Sequence, residues 1–226
     1  MNILQKDPKK IIAIFDFCET LVDFQTADVF VNELFKRHFS LFGFIVNVVR
    51  KLLFVLHLSS GEVNKKLELL KVRGLTLRDL ENYLPVFFEK KLIKGNISYS
   101  VDRLNWHLRN GHYVILVSAG YTPYLEYYAS NYGVHKVIGT DIEIVNAKLS
   151  GFFKGLDCIG INKVKKINES IKLEDFDLLN SYCYSDSISD LPIFLLVGNR
   201  FLINSKEPFD TTKHFNLIQI NTTDLQ

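Results

Sequence analysis

The chain has 226 residues, of which 47% are hydrophobic and 23% are charged, and its formal net charge is +2. This length suits one domain with a substantial core and a modest insertion. The composition, which shows no low-complexity tract, excludes a disordered chain. The three cysteines stand in or beside apolar runs, which favours reduced, buried thiols. Residues 1–10 are polar, so the sequence predicts no signal peptide and a cytoplasmic location.

Short apolar runs predict buried strands at residues 11–15, 113–117, 181–184 and 201–203. Apolar residues at helical spacing predict helices between these strands, with Gly111 and Gly133 as stop signals. Residues 142–145 and 149–153 predict a hairpin attached to the sheet. The alternation of strands and helices predicts an α/β fold, a Rossmann-like doubly wound parallel sheet with helices on both faces.

Residues 27–95 are predicted to form a small all-helical cap, inserted after the first strand into a core made of residues 1–26 and 96–226. Between residues 36 and 94 the chain has 12 Lys or Arg against 5 Asp or Glu, a net charge of +7. This charge favours an anionic partner. Nucleic acid is not predicted as that partner, because no aromatic-basic motif accompanies the charge. The sequence indicates no oligomeric state.

The most apolar part of the cap is residues 39–58, whose broad apolar stripe leaves a narrow polar face at Asn47, Arg50 and Lys51. The stretch is long enough for a transmembrane helix. Two adjacent cations at its centre argue against that interpretation, because each costs ~2.5–3.5 kcal/mol on insertion scales. A buried cap helix is the preferred interpretation, and an interfacial helix that touches anionic lipid is the alternative.

Polar and charged residues follow the predicted strands. Asp16 ends the first strand, Ser118 follows the second, and Asp186 and Asp190 follow the third. The carboxyl ends of parallel strands meet at one edge of a sheet, and the active sites of α/β enzymes lie at that edge. Lys163 opens a later helix after a glycine. Each residue alone could be a turn or helix-cap residue. Together they predict a phosphate site, and no Walker loop, dinucleotide fingerprint or zinc-type cluster offers an alternative.

The order and spacing of these residues resemble the haloacid dehalogenase (HAD) phosphohydrolase superfamily. Within it, the segments between the motifs resemble the phosphoserine-phosphatase-like branch, which carries a small helical cap after the first motif. The matching motifs are Asp16 to Thr20, then Ser118, then Lys163, then Asp186 with Asp190.

The resemblance implies a phosphomonoester hydrolase that acts through an aspartyl-phosphate intermediate on Asp16. It also implies that Thr20, Ser118 and Ala119 contact the phosphate, and that Lys163 offsets the negative charge of the site. The expected substrate is a small-molecule or lipid-linked phosphomonoester, and the apolar, basic cap slightly favours an amphiphilic one.

The resemblance also implies Mg²⁺ as cofactor, a hard cation that proteins bind through one or two carboxylates plus phosphate and water. The implied metal residues are Asp16, Asp186 and the backbone carbonyl of Cys18. Asp190 is expected to act through water or by orienting Lys163.

Cys18 departs from the family pattern, which places a second Asp two residues after the nucleophile. An Asp there protonates the leaving group and activates water, a contribution of ~10²–10⁴-fold. A thiol among carboxylates is a poor substitute acid or base. Three interpretations stay open: a slow phosphatase, an enzyme whose substrate has a good leaving group, and a binding protein that kept the site.

Overall fold

The computed structural model describes residues 9–205, 213 and 215–225, so the parts of the predicted core at 1–8, 206–212, 214 and 226 lie outside the described residues. The strands are β1 (Ile12–Phe15), β2 (Tyr113–Tyr121), β3 (Lys136–Thr140), β4 (Ile142–Val145), β5 (Lys148–Phe153), β6 (Tyr182–Ser185), β7 (Asn199–Ile203) and β8 (Ile218–Ile220). The α-helices are α1 (Thr26–Arg37), α2 (Leu41–Val55), α3 (Gly61–Leu70), α4 (Leu77–Phe87), α5 (Ser98–Arg109), α6 (Thr122–Tyr132), α7 (Ile161–Ser170) and α8 (Leu191–Phe194). A π-helical turn at Phe88–Leu92 follows α4.

Six strands form one parallel sheet in the order β3-β2-β1-β6-β7-β8. The apolar run of β1 is buried on both faces of this sheet. Ala13 and Phe15 belong to a core cluster shared with α5 and α6, whereas Ile12 and Ile14 belong to a cluster shared with α7 and α8. A parallel strand covered on both faces is apolar at every position, and the predicted doubly wound α/β fold is confirmed.

Strand β2 is longer than the sequence predicts. Its pairing with β3 shifts register between Val117 and Tyr121, so the strand continues irregularly through Ser118. Small residues in this part of the chain favour turns, and strand pairing overrides that local preference. Strands β3 and β8, which lie at the two edges of the sheet, were not predicted from the sequence pattern.

The predicted hairpin is present as a separate two-stranded sheet of β4 and β5, joined through Asn146 and Ala147 at φ 50° and 58°. Positive φ at both central residues is the turn that matches strand twist. The hairpin bonds to the segment between α3 and α4 rather than to the main sheet. Leu149 accepts a hydrogen bond from Gly74 N at 2.8 Å and donates one to Leu75 O at 2.8 Å.

Helices α1 to α4 lie between β1 and β2 in the chain, where the cap was predicted; the exact cap limits stay a prediction. The preferred interpretation of α2 as a buried helix is wrong, because only Gly43 and Val46 of this helix are buried. Arg50 of the polar face also turns toward the protein, where it pairs with the buried Glu68 at 2.7 Å, and most of the apolar stripe is exposed. No helix in the described part of the chain is long and apolar enough to span a membrane.

Candidate active site

The predicted site residues meet at the carboxyl edge of the sheet, around a cleft of about 420 Å³. Asp16 and Asp186 directly follow the adjacent strands β1 and β6, between which the direction of strand order changes, and Ser118 lies in the irregular last part of β2. Such a switch point is where open α/β sheets bind ligands. A larger cleft of about 950 Å³ beside α4 and α6 contains none of the predicted site residues. The smaller cleft is therefore the candidate active site.

A buried ionic triad forms the floor of this cleft. Lys163 Nζ donates to Asp16 Oδ1 at 2.9 Å and to Asp190 Oδ2 at 2.5 Å. Ser185 at the end of β6 donates to the same Asp190 oxygen at 2.6 Å. The residues of the triad are 5% exposed or less. Asp190 thus fixes the ammonium group of Lys163 against Asp16. Its hydrogen bonds fit the predicted role of orienting Lys163.

Burial and mutual charge set the protonation of the triad. Burial alone lowers the pKa of Lys163, but the Asp16 and Asp190 carboxylates raise it more, so the net pKa lies above its usual value and the group stays an ammonium. Burial raises the pKa of Asp16, with Lys163 opposing this effect and Asp190 adding to it. The single ammonium group of Lys163 offsets the charge of only one of the two carboxylates, so the triad carries a net negative charge.

Asp186 adds a further carboxylate to the same cleft. Burial, and next the charge of Asp16, raise the pKa of Asp186 to about 7. Among the described residues no Lys, Arg or His forms an ion pair with it. Thr20 is buried, and its hydroxyl faces Asp186 Oδ1 at 3.5 Å, a long contact, rather than the open cleft.

These oxygen donors fit a divalent cation. Asp16, Asp186 and the Cys18 segment line one cleft in which the carboxylate charge exceeds that of Lys163. Within the described residues, no group of three or more His, Cys, Asp or Glu side chains is arranged as a metal site. Mg²⁺ needs only one or two carboxylates, with phosphate oxygens and water supplying the rest, so the two aspartates are a sufficient donor set.

The Cys18 thiol is turned toward the start of α1. Its Sγ lies 3.0 Å from Thr26 Oγ1, and that hydroxyl lies 2.6 Å from the Tyr124 hydroxyl, so the three groups form a chain of hydrogen bonds. Burial, and next the charge of Asp16, raise the pKa of Cys18 to about 11. The thiol is therefore protonated at neutral pH, and it is neither a nucleophile nor a general base there.

The second predicted motif contributes backbone groups to the cleft. Ser118 Oγ accepts a hydrogen bond from Gly120 N at 3.1 Å, which fixes the hydroxyl at the edge of the site. The carbonyl of Ala119 accepts from Lys65 Nζ of α3 at 2.7 Å and from Thr140 Oγ1 at 3.1 Å. Lys65 also pairs with Asp157, so this lysine of α3 links that helix to strand β2 and to the loop that contains Asp157.

Sequence reasoning missed several residues of the site. Lys65 was counted in the basic cap without being distinguished from Lys66, and only the folded structure directs one of them into the cleft. Thr26 and Ser185 were missed because a lone hydroxyl residue carries no pattern signal. The basic charge of the cap is the one signal that pointed toward Lys65.

A model of the haloacid dehalogenase-like hydrolase family matches residues 13–195. The chain belongs to this family. A probable phosphatase from Mycobacterium tuberculosis is 30% identical to the chain over 105 residues, which are 46% of this chain and 36% of that protein. The match therefore spans only about a third of the length of that curated relative.

Solved structures show the same fold. A protein of unknown function from Bordetella pertussis Tohama I has a TM-score of 0.79 at 21% identity, over 95% of this chain and 99% of that chain. A phospho-aspartyl intermediate analogue of phosphoserine phosphatase has a TM-score of 0.61 at 17% identity, over 94% and 93%. The predicted resemblance to the phosphoserine-phosphatase-like branch is confirmed, and the chain is a HAD-like hydrolase with that fold.

Proposed function

We propose that this HAD-like protein is a Mg²⁺-dependent phosphomonoester hydrolase that uses Asp16 as its nucleophile. The observation that carries the proposal is the buried contact of Asp16 with Lys163, in a cleft shared with Asp186. A carboxylate held beside a fixed ammonium keeps its charge despite burial, and it is positioned to attack phosphorus.

In the proposed reaction, one Asp16 oxygen attacks phosphorus and the bond between phosphorus and the ester oxygen breaks. The alcohol leaves with a proton from water, and an acyl phosphate remains on Asp16. Water then attacks this phosphoryl group, which releases inorganic phosphate and restores the carboxylate. Lys163 offsets charge in both steps, and the Ser118 hydroxyl and nearby amides contact the phosphate.

Asp16, Asp186 and the carbonyl of Cys18 are the proposed ligands of Mg²⁺, with Asp190 acting through Lys163 or through water. A bound Mg²⁺ supplies positive charge that stabilises a phosphoryl group in an otherwise acidic cleft. The substrate is proposed to be a small or lipid-linked phosphomonoester, hydrolysed in the cytoplasm.

Cys18 makes the proposed enzyme slow toward poor leaving groups. A thiol with a pKa of about 11 that is hydrogen-bonded to Thr26 does not deprotonate water at neutral pH. The same observation favours a second candidate function, a catalytically impaired HAD-like protein that binds a phosphorylated ligand or a protein partner. The retained Lys163 triad favours the enzyme, because binding alone does not require a buried carboxylate held against a fixed ammonium group.

A phosphate-release screen separates the two functions. Sugar, amino-acid, nucleotide and lysolipid phosphates are incubated with the protein, with Mg²⁺ and with a chelator. Release that requires Mg²⁺ and is lost in Asp16→Asn supports the enzyme. Binding of a phosphorylated compound without release, in wild type and in Asp16→Asn alike, supports the binding protein.

A further inference from the structure

Helix α2 turns Gly43, Val46 and Arg50 toward the protein and most of its apolar side chains outward. Its inward face carries Arg50, whose guanidinium lies 2.7 Å from Glu68 and donates to Asn64 Oδ1 at 2.9 Å. Glu68 also pairs with Lys71, and both residues are 1% exposed. Removing one member of such a buried charge cluster is costly, so the cluster fixes which face of α2 points outward.

The outward face of α2 is almost entirely apolar. Positions 41, 45, 48, 52 and 55 follow helical spacing along this face. Exposed apolar patches of this extent on a folded protein mark interaction sites. The exposed side chains, each at least 43% exposed, are Phe39, Leu41, Phe42, Phe44, Ile45, Val48, Val49, Leu52, Phe54, Val55, Leu56 and Leu58. These residues are called the α2 patch below.

The basic residues around the α2 patch indicate which kind of partner binds there. From residue 36 to residue 61 the chain has no Asp or Glu and four Lys or Arg, of which Lys36 pairs with Glu33 and Arg50 faces inward against Glu68. Lys51 is exposed on α2, and the Arg73 guanidinium lies 5.8 Å from the centre of the Phe42 ring. Cations beside an apolar strip suit the anionic headgroups of a bilayer, where long basic side chains reach the phosphates.

A second copy of the chain suits the α2 patch less well. In a two-fold dimer the same patch meets itself. Each copy would then bring an exposed Lys51 to the interface, with no acidic residue between positions 36 and 61 to pair with it. Such like-charge contacts are unfavourable at an interface.

We propose that α2 lies flat on an anionic membrane surface, with the α2 patch inserted at the boundary of headgroups and acyl chains. Helix α3 follows α2 directly and brings Gly61, Asn64 and Lys65 to the candidate active site. Membrane contact through α2 therefore places that cleft close to the lipid surface. The proposal concerns a binding surface and holds whether or not the cleft is catalytic.

Vesicle sedimentation with the full chain tests the proposal. The wild type is mixed at low salt with phosphatidylcholine vesicles, with or without added phosphatidylglycerol, and the salt is then raised. The variants are Val48→Glu/Leu52→Glu and Lys51→Gln. The matched control is Leu179→Glu, since Leu179 is 78% exposed and precedes β6, at the other end of that strand from the cleft. All replaced side chains are exposed, so the melting temperature of each variant should match that of wild type.

The wild type should sediment with phosphatidylglycerol vesicles and should dissociate as salt screens the attraction. Val48→Glu/Leu52→Glu should lower the partition coefficient by at least about 10-fold. Lys51→Gln should lower it by about fivefold, and Leu179→Glu should leave it unchanged. Wild type that stays in solution with phosphatidylglycerol vesicles at low salt would overturn the proposal. A dimer that Val48→Glu/Leu52→Glu dissociates, without vesicle binding by wild type, would assign the patch to a second copy and would overturn it too.

Discussion

Lys163 and Asp16 are 147 positions apart in sequence and form a buried ion pair, with Nζ 2.9 Å from Oδ1. The start of α7 and the end of β1 bring these two groups together, and Asp190 holds the ammonium from its other side. The pair joins the first and third motifs of the HAD-like family at the floor of the cleft. It gives the site a carboxylate that is charged, fixed and open to the cleft.

Lys163→Met should destabilise the fold, because it leaves two buried carboxylates without a cation. Loss of one partner from a buried pair costs about 3–5 kcal/mol. Urea unfolding measures the free energy of unfolding. Lys165→Met is the control, since Lys165 is exposed two residues away on the same helix and should change stability by less than about 0.5 kcal/mol. Equal stability of Lys163→Met and wild type would show that the triad does not stabilise the fold.

Asp186→Asn should weaken Mg²⁺ binding, since it removes a carboxylate that lines the cleft and takes no part in the Lys163 triad. Calorimetric titration of Mg²⁺ into wild type and variant measures the affinity. Asp177→Asn serves as the control, because Asp177 precedes β6 and bonds Asn180 at the opposite end of that strand. Equal affinity in Asp186→Asn and wild type would exclude Asp186 from the metal site.

Cys18→Asp should speed turnover of alkyl phosphates by at least ~10-fold, the cautious end of what a general acid–base group supplies. The steady-state rate on an alkyl phosphate and on an aryl phosphate measures the effect, which should be smaller for the better leaving group. Cys18→Asn is the matched control, because it has the shape of Asp without its acid. Brisk turnover by wild type that Cys18→Asp slows would mean that the thiol has a positive role.

His107 should make stability depend on pH. Burial, and next the neighbouring His112 and Arg103 charges, lower the pKa of His107 to about 3, and the ring bonds the Tyr184 hydroxyl at 3.0 Å. An unfolded chain takes up this proton below pH ~6.5 whereas the folded chain does not. The contribution is therefore fully present above pH ~6.5 and is lost as the pH falls toward 3.

Chemical unfolding between pH 7 and pH 4 tests this prediction in wild type and in His107→Gln. The histidine contributes a slope of up to about 1.4 kcal/mol per pH unit. Wild type should therefore lose more stability than the variant as the pH falls, whatever the other groups contribute. Identical pH slopes for the two proteins would contradict a neutral, buried His107.

The sequence predicted the core of the fold and the edge of the sheet at which the candidate site residues meet, because both depend on local signals. The apolar runs of β1 and β6 end at charged residues, and parallel strands bring those ends together. Register and the orientation of the cap depend on contacts between distant segments. Neither the continuation of β2 through Ser118 nor the entry of Lys65 into the cleft has a local signal.

The orientation of α2 could not be predicted from its own sequence. Its periodicity correctly indicates two faces, but the usual rule that the apolar face is buried fails here, because only Gly43 and Val46 of this helix are buried. The deciding contact is the pairing of Arg50 with Glu68, two residues on different helices. A pattern within one helix cannot reveal a buried charge partner on another.

Identification of the phosphorylated residue decides whether Asp16 is the nucleophile. Wild type, Asp16→Asn and Cys18→Asp are incubated with an aryl phosphate and Mg²⁺, quenched in acid, digested and mapped by mass spectrometry. An acyl phosphate is expected on Asp16 in wild type and none in Asp16→Asn, with less accumulation in Cys18→Asp because water attack is faster there. Phosphate release that continues undiminished in Asp16→Asn would show that Asp16 is not the nucleophile.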